Sequence, residues 1–126
     1  MTDAPRPTVY VVQEPGPARD FDSVTAYGDL HFVLPRNSRP SFAPDLVLRD
    51  LRSRLADFTT RDYIVWAGGD PLASILAGIV LRELGHSTVQ YLRWERHLNP
   101  DGSRSSQGYY VPGRFNLHNN DNTTSK

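Results

Sequence analysis

The chain has 126 residues, the length of one domain and enough to bury a core. Its 14 basic and 14 acidic side chains cancel, so no overall field draws it to nucleic acid, a membrane surface or acidic substrates. It has no cysteine, which excludes disulfides, thiolate catalysis and cysteine-ligated metal.

The N-terminus is polar and carries prolines, unlike a signal peptide. The longest apolar stretch, 72–81, is interrupted by Ser74 and is about half the ~20 residues that span a bilayer. An intracellular chain with no membrane partner is expected. Thirteen of the fourteen basic residues are arginine, the exception being Lys126. The arginines are scattered among as many acids, which suits a GC-rich coding genome better than a dedicated anion site.

Residues 1–7 and 118–126 read as flexible ends around a single domain over 8–117. The β-branched and aromatic run 8–12 predicts a strand. A long connection, 13–29, contains Pro15, Gly16, Pro17 and Gly28, and loops of that length are often functional. Residues 30–34 predict a second strand, with Leu30, Phe32 and Leu34 on one face and His31 and Val33 on the other. Pro44 and Asp45 suit the first turn of a helix. Val47, Leu51, Leu55 and Phe58 recur at helical spacing with Leu48 beside them, giving a buried stripe, and Asp50 can pair with Arg54 four residues on.

Residues 62–72 read as strand, tight turn and helix start. Tyr63, Ile64, Val65, Trp66 and Ala67 form a short apolar run. Gly68 and Gly69 permit the turn, Asp70 can cap, and Pro71 fits the first helical turn. The helix that follows, 71–84, is apolar nearly all round, its polar residues being Ser74, Arg82 and Glu83; it is expected to be the most buried segment, with Ile75, Leu76, Ile79 and Val80 covered. Such a helix is enclosed by its own domain or covered by a second subunit, so a homo-oligomer is possible. Gly85 is a natural stop. Residues 88–96 predict a strand, Asn99-Pro100-Asp101-Gly102 a turn, and 108–117 a last strand at an edge, because Pro112 donates no ladder bond. The order ββαβαββ implies an α/β domain with a mixed, mostly parallel sheet, two main helices and a C-terminal hairpin.

Three sets of residues could carry chemistry. A glycine turn opening a helix, here Gly68, Gly69 and Asp70, is where many α/β proteins hold a small ligand or nucleotide. The run is neither G-x-G-x-x-G nor a P-loop, and the Asp70 carboxylate would take the amides an anion needs. The hairpin interleaves Arg93, Trp94, Arg96, Tyr109 and Tyr110, a composition that suits single-stranded nucleic acid. Alternation also suits a plain reading, aromatics in the core and arginines at its wet edge, and this reading is preferred. The third set, Asp20, Asp22, Asp29, His31, Asp62 and Asp70, matches no metal signature and reads as solvated acids and turn residues. There is no nucleophile elbow, which weighs against an enzyme, and no cofactor is implied.

The runs VYVVQEP (9–15), PARDF (17–21), LHFVLP (30–35), Asp62-Tyr63, Gly69-Asp70-Pro71 and LRWE (92–95) resemble a family of short tailed-bacteriophage proteins, of the actinobacterial-phage type. The likeness runs from residue 9 to about 112, and the polar tail from Gly113 departs from it. It implies phage origin and brings no activity, cofactor or catalytic residue. The expectation is a non-enzymatic module in the host cytoplasm that binds a host or phage protein through the long connection or the hairpin edge.

Overall fold

The computed structural model describes residues 5–16, 20–66 and 70–117. In chain order these form β1 (Thr8–Gln13), a short 3-10 helix (Asp22–Ala26), β2 (Asp29–Leu34), α1 (Pro44–Arg54), β3 (Tyr63–Val65), α2 (Pro71–Glu83), β4 (Thr88–Leu98) and β5 (Arg104–Asn116). One five-stranded sheet runs β2-β1-β3-β4-β5; its first four strands are mutually parallel and β5 is antiparallel to β4. This is the α/β domain with a terminal hairpin that the sequence implies.

The wiring fixes the layers. From β1 to β2 the chain steps toward one edge; from β2 to β3 and from β3 to β4 it steps the other way. Right-handed crossovers then place the first connection on one face and both α-helices on the opposite face. Packing follows this division. Val47 and Leu51 of α1, Leu55 at its C-cap, and Leu76, Ala77, Val80 and Leu81 of α2 share one core with Tyr10, Val12, Ile64 and Val89. On the other face Val24 of the 3-10 helix packs with Val9, Val11, Val65, Leu92 and Tyr110, flanked by Phe21, Tyr27 and Trp94. The long connection is therefore partly a helical cover for half the core.

Local chemistry explains the element ends. Asp70 caps α2, its side chain accepting from the Leu72 amide, and Gly85 stops the helix at φ +94°. Gly28 stands where a Cβ would lie 2.3 Å from the Pro7 carbonyl oxygen, so only glycine lets β2 begin beside the start of β1. Pro5 and Pro7 are also tied down: Arg61 donates to the Pro5 carbonyl and the Asp29 amide to that of Pro7. Residues 1–4 and 118–126, expected to be flexible, lie outside the described residues.

Several expectations are corrected. The most buried segment is the interior strand β1, buried from Val9 to Gln13, because it has layers on both faces. On α2 the sheet and α1 cover only the arc through Ala73, Leu76, Ala77, Val80 and Leu81. Ile75 and Ile79 point away and are 59% and 46% exposed. Phe32 and Val33 alternate as expected, but Leu34, at the strand's end, joins the helix-side core with Val33. Arg54 does not pair with Asp50; its guanidinium donates to the Val33 carbonyl at 2.6 Å. The hairpin strands are longer than expected, since backbone pairing carries on through the polar stretch from Arg104 where side-chain alternation gives no signal.

Candidate functional site

The β3–α2 turn lies at the carboxyl end of the parallel strands, where open α/β sheets commonly bind ligands. Gly68 and Gly69 fall outside the described residues. Asp70 is fully engaged: Oδ1 accepts from the Leu72 amide at 3.0 Å, and Oδ2 from the Ser41 amide at 3.1 Å and the Ser41 hydroxyl at 2.7 Å. The Ser41 hydroxyl, then the Leu72 amide, hold its carboxyl below the ordinary range. A carboxylate thus occupies the helix start that an anionic ligand would need.

Near it, the buried Gln13 at the end of β1 directs its Nε2 to the carbonyls of Pro35, Arg36 and Ser38 at 3.3, 3.4 and 2.9 Å. Its Oε1 is buried without a partner. Gln13 and Asp70 therefore hold the β2–α1 loop from two sides. The sequence hint was a lone amide closing an apolar strand.

The hairpin divides its aromatic and basic residues by face. Trp94 and Tyr110 are cross-strand partners with ring centroids 5.0 Å apart, and Phe21 stacks on Tyr110 at 5.9 Å and 7°. These rings are core. Tyr109 is not, contrary to the preferred reading: it is 41% exposed and lies against His97, because adjacent strand residues face opposite sides. Arg93 forms an ion pair with Glu95, which Arg104 approaches at 3.6 Å. Arg93 chiefly, with help from Arg104, holds the Glu95 carboxyl down. Arg96 is exposed beside Gly108, where a Cβ would meet the Glu95 carbonyl oxygen at 2.2 Å.

The outer edge of β5 is closed at its middle. The Tyr110 amide donates to Ser23 Oγ at 3.1 Å, and the Tyr27 hydroxyl donates to the Tyr110 carbonyl at 3.4 Å. Alternate residues of an antiparallel strand turn their backbone groups to the same edge. Pro112, two residues on, therefore sets its missing N–H on that outer edge, where no ladder bond is lost.

The third set does not assemble. Asp20 accepts from the Asp22 amide in the first connection. Asp62 is neither solvated nor free: it is 7% exposed, with Oδ1 accepting from the Thr8 amide and Oδ2 from the amide and hydroxyl of Thr59. Asp29 and His31 line an open groove of about 380 Å³ with Tyr10, Arg54 and Asp57, at the amino ends of β1 and β2 and far along the strands from Asp70. Burial, then Asp62 and Asp57, push the Tyr10 phenol up from its ordinary value. Among the described residues no group of three or more histidines and acids is placed to hold a metal ion. None of their helices is long and apolar enough to cross a membrane.

A mostly parallel sheet with a core on each face, closed by an antiparallel hairpin, defines a small α/β domain. The chain belongs to the Phage Pam3 gp32-like protein family, whose model matches residues 7–100. That span takes in every element through β4 and ends in the hairpin turn, leaving β5 beyond it. No curated protein and no solved structure matches the chain.

Proposed function

We propose that this phage protein is a non-enzymatic binding module that works in the host cytoplasm and takes a host or phage protein on its β4–β5 hairpin. The observation that carries this reading is the reach of the hairpin. β4 pairs with β3 only through Gln90 and Tyr91, so residues 93–98 have β5 as their sole strand neighbour. Those six residues extend the ribbon by about 20 Å. A two-stranded ribbon is marginal on its own. This one nevertheless presents Leu98, 66% exposed, and Tyr109 on its surface.

Nucleic acid is the weaker alternative for the same arm. Arg93 and Arg104 converge on Glu95, and the rings of Trp94 and Tyr110 are turned to the core instead of offering faces to bases. A small ligand at Gly68 and Gly69 is disfavoured by the Asp70 cap.

The test is affinity purification from phage-infected cells, with each captured protein purified and its binding remeasured against the wild-type chain and a Leu98→Ser/Tyr109→Ser variant. A partner held by the wild type and lost by the variant, whose thermal unfolding is unchanged, supports the reading. Salt-dependent binding of single-stranded oligonucleotides that disappears in an Arg93→Ala/Arg96→Ala variant would replace it with the nucleic-acid alternative.

A further inference from the structure

The groove beside β2 has a floor made by a buried tyrosine with nothing to bond to. Tyr10 and His31 are register partners on adjacent strands and both line it. Tyr10 is 7% exposed, its ring clasped between the edge of His31 at 5.5 Å and Phe58 at 5.3 Å. Among the described residues its hydroxyl has no hydrogen-bond partner. A buried phenol normally finds one, because an unmet polar group in a low-dielectric interior is costly. The open side of this one is the groove, whose volume of about 380 Å³ falls in the lower range of small-molecule sites.

The walls carry opposite charges held apart. α1 joins parallel strands, so it runs against them and its carboxyl end approaches their amino ends. Arg54 stands at the level of Val33, two residues beyond His31, and donates one N–H to the Val33 carbonyl. Asp57 lies three residues further toward the amino ends. It is close enough to the phenol to raise it, after burial and Asp62. At three-residue spacing an arginine and an aspartate are able to pair. Here they do not, because a neutral carbonyl fixes the guanidinium elsewhere. Both side chains are exposed, and among the described residues neither belongs to an ion pair. Arg54 keeps the remaining donors of its fork. The groove is therefore dipolar, with a carboxylate at one end, a guanidinium at the other and a hydroxyl that both donates and accepts between them.

We propose that this groove binds a small zwitterion, an amino acid with free α-ammonium and α-carboxylate groups. The ammonium donates to Asp57 and to the Tyr10 oxygen. The carboxylate accepts from the Arg54 fork, whose planar geometry suits it. An apolar side chain rests on Leu30 and the His31 ring at the rim. A simple amine would meet Arg54 as a like charge, and a simple anion would meet Asp57; a molecule carrying both charges satisfies each wall. The groove is at the β2 edge of the sheet, opposite the hairpin, so it stands whatever the arm binds.

NMR titration of the ¹⁵N-labelled full chain tests it, with L-leucine and L-phenylalanine as probes and the N-acetyl and carboxamide forms of each as controls. The expected result is a saturable shift of the Tyr10, His31 and Asp57 amides, with Kd about millimolar or tighter. Each blocked form should bind at least about tenfold more weakly, having lost one charged hydrogen-bonding end. Tyr10→Phe removes a hydroxyl that the chain itself does not use, so the urea midpoint should hold while affinity falls by about tenfold. Asp57→Asn should do the same. No saturable shift with either amino acid overturns the proposal, as do shifts that map to other residues. A blocked form that binds as well as the free amino acid overturns it too, since the site would then read one charge only. So does undiminished affinity in Tyr10→Phe or Asp57→Asn.

Discussion

Removing the Asp62 carboxylate should be among the costlier single changes in this protein. The side chain joins the start of β1 to the turn before β3, accepting from Thr8 with one oxygen and from Thr59 twice with the other. In Asp62→Ala the Thr8 amide, half-buried at the head of an interior strand, loses its acceptor, which costs about 1–3 kcal/mol. The Thr59 donors are at an exposed residue and recover water, adding roughly 0.5–1 kcal/mol. The expected loss is therefore about 1.5–4 kcal/mol. Asp62→Asn is the sharper probe. Its amide keeps one acceptor oxygen, but the NH2 must then face either the Thr8 N–H or the Thr59 donors, so at least one side becomes donor against donor. It should forfeit about half the alanine effect or more. Urea unfolding followed by far-ultraviolet circular dichroism gives both values, provided the m-value is unchanged. An Asp62→Asn variant as stable as the wild type would refute the reasoning and return Asp62 to the class of ordinary turn acids.

Two further outcomes follow from close approaches and charge. Gly28→Ala forces a methyl group to within 2.3 Å of a backbone oxygen that cannot swing away, and should destabilise by about 1–3 kcal/mol in the same urea assay; a neutral result would mean the starts of β1 and β2 are not held together. Asp70 has its carboxyl lowered from 3.8 in the folded chain by Ser41 and the Leu72 amide, so its contribution is present above that value and is lost as pH falls through the lower folded one. Ser41→Ala should then flatten the loss of thermal midpoint between about pH 5 and about pH 3 relative to wild type, and an unaltered slope would exclude this linkage.

What the sequence disclosed depended on distance along the chain. The Asp70 cap, the Pro71 helix start and the Gly85 stop are read correctly because each is decided within a turn or two. The Ser41 partner of Asp70 is 29 residues away, and no local pattern announces it. Helical periodicity marks α1 well, since its polar and apolar sides differ. It fails on α2, where an apolar residue occurs in every direction and only the position of the sheet decides that Leu76 is covered and Ile75 is not. The hairpin teaches the same lesson: Tyr109 and Tyr110 are neighbours of identical chemistry, and strand alternation permits only one of them to be core. Aromatic Phe21 and Tyr27 bracket the 3-10 helix, but their purpose is visible only once the wiring puts that connection over β5.

The chain's two tryptophans have fallen on opposite sides of the sheet. Trp66 packs toward the helix layer and lies 6.1 Å from the ring of Phe115, whereas Trp94 belongs with Tyr110 under the 3-10 cover. Each layer thus contains its own intrinsic fluorophore. Paired Trp66→Phe and Trp94→Phe proteins would give separate optical records of the two sides, one for each melting curve. Coincident curves would mean that the sheet passes disruption from one side straight to the other. Curves that part would mean that the cover over β5 can lift while the helices stay in place.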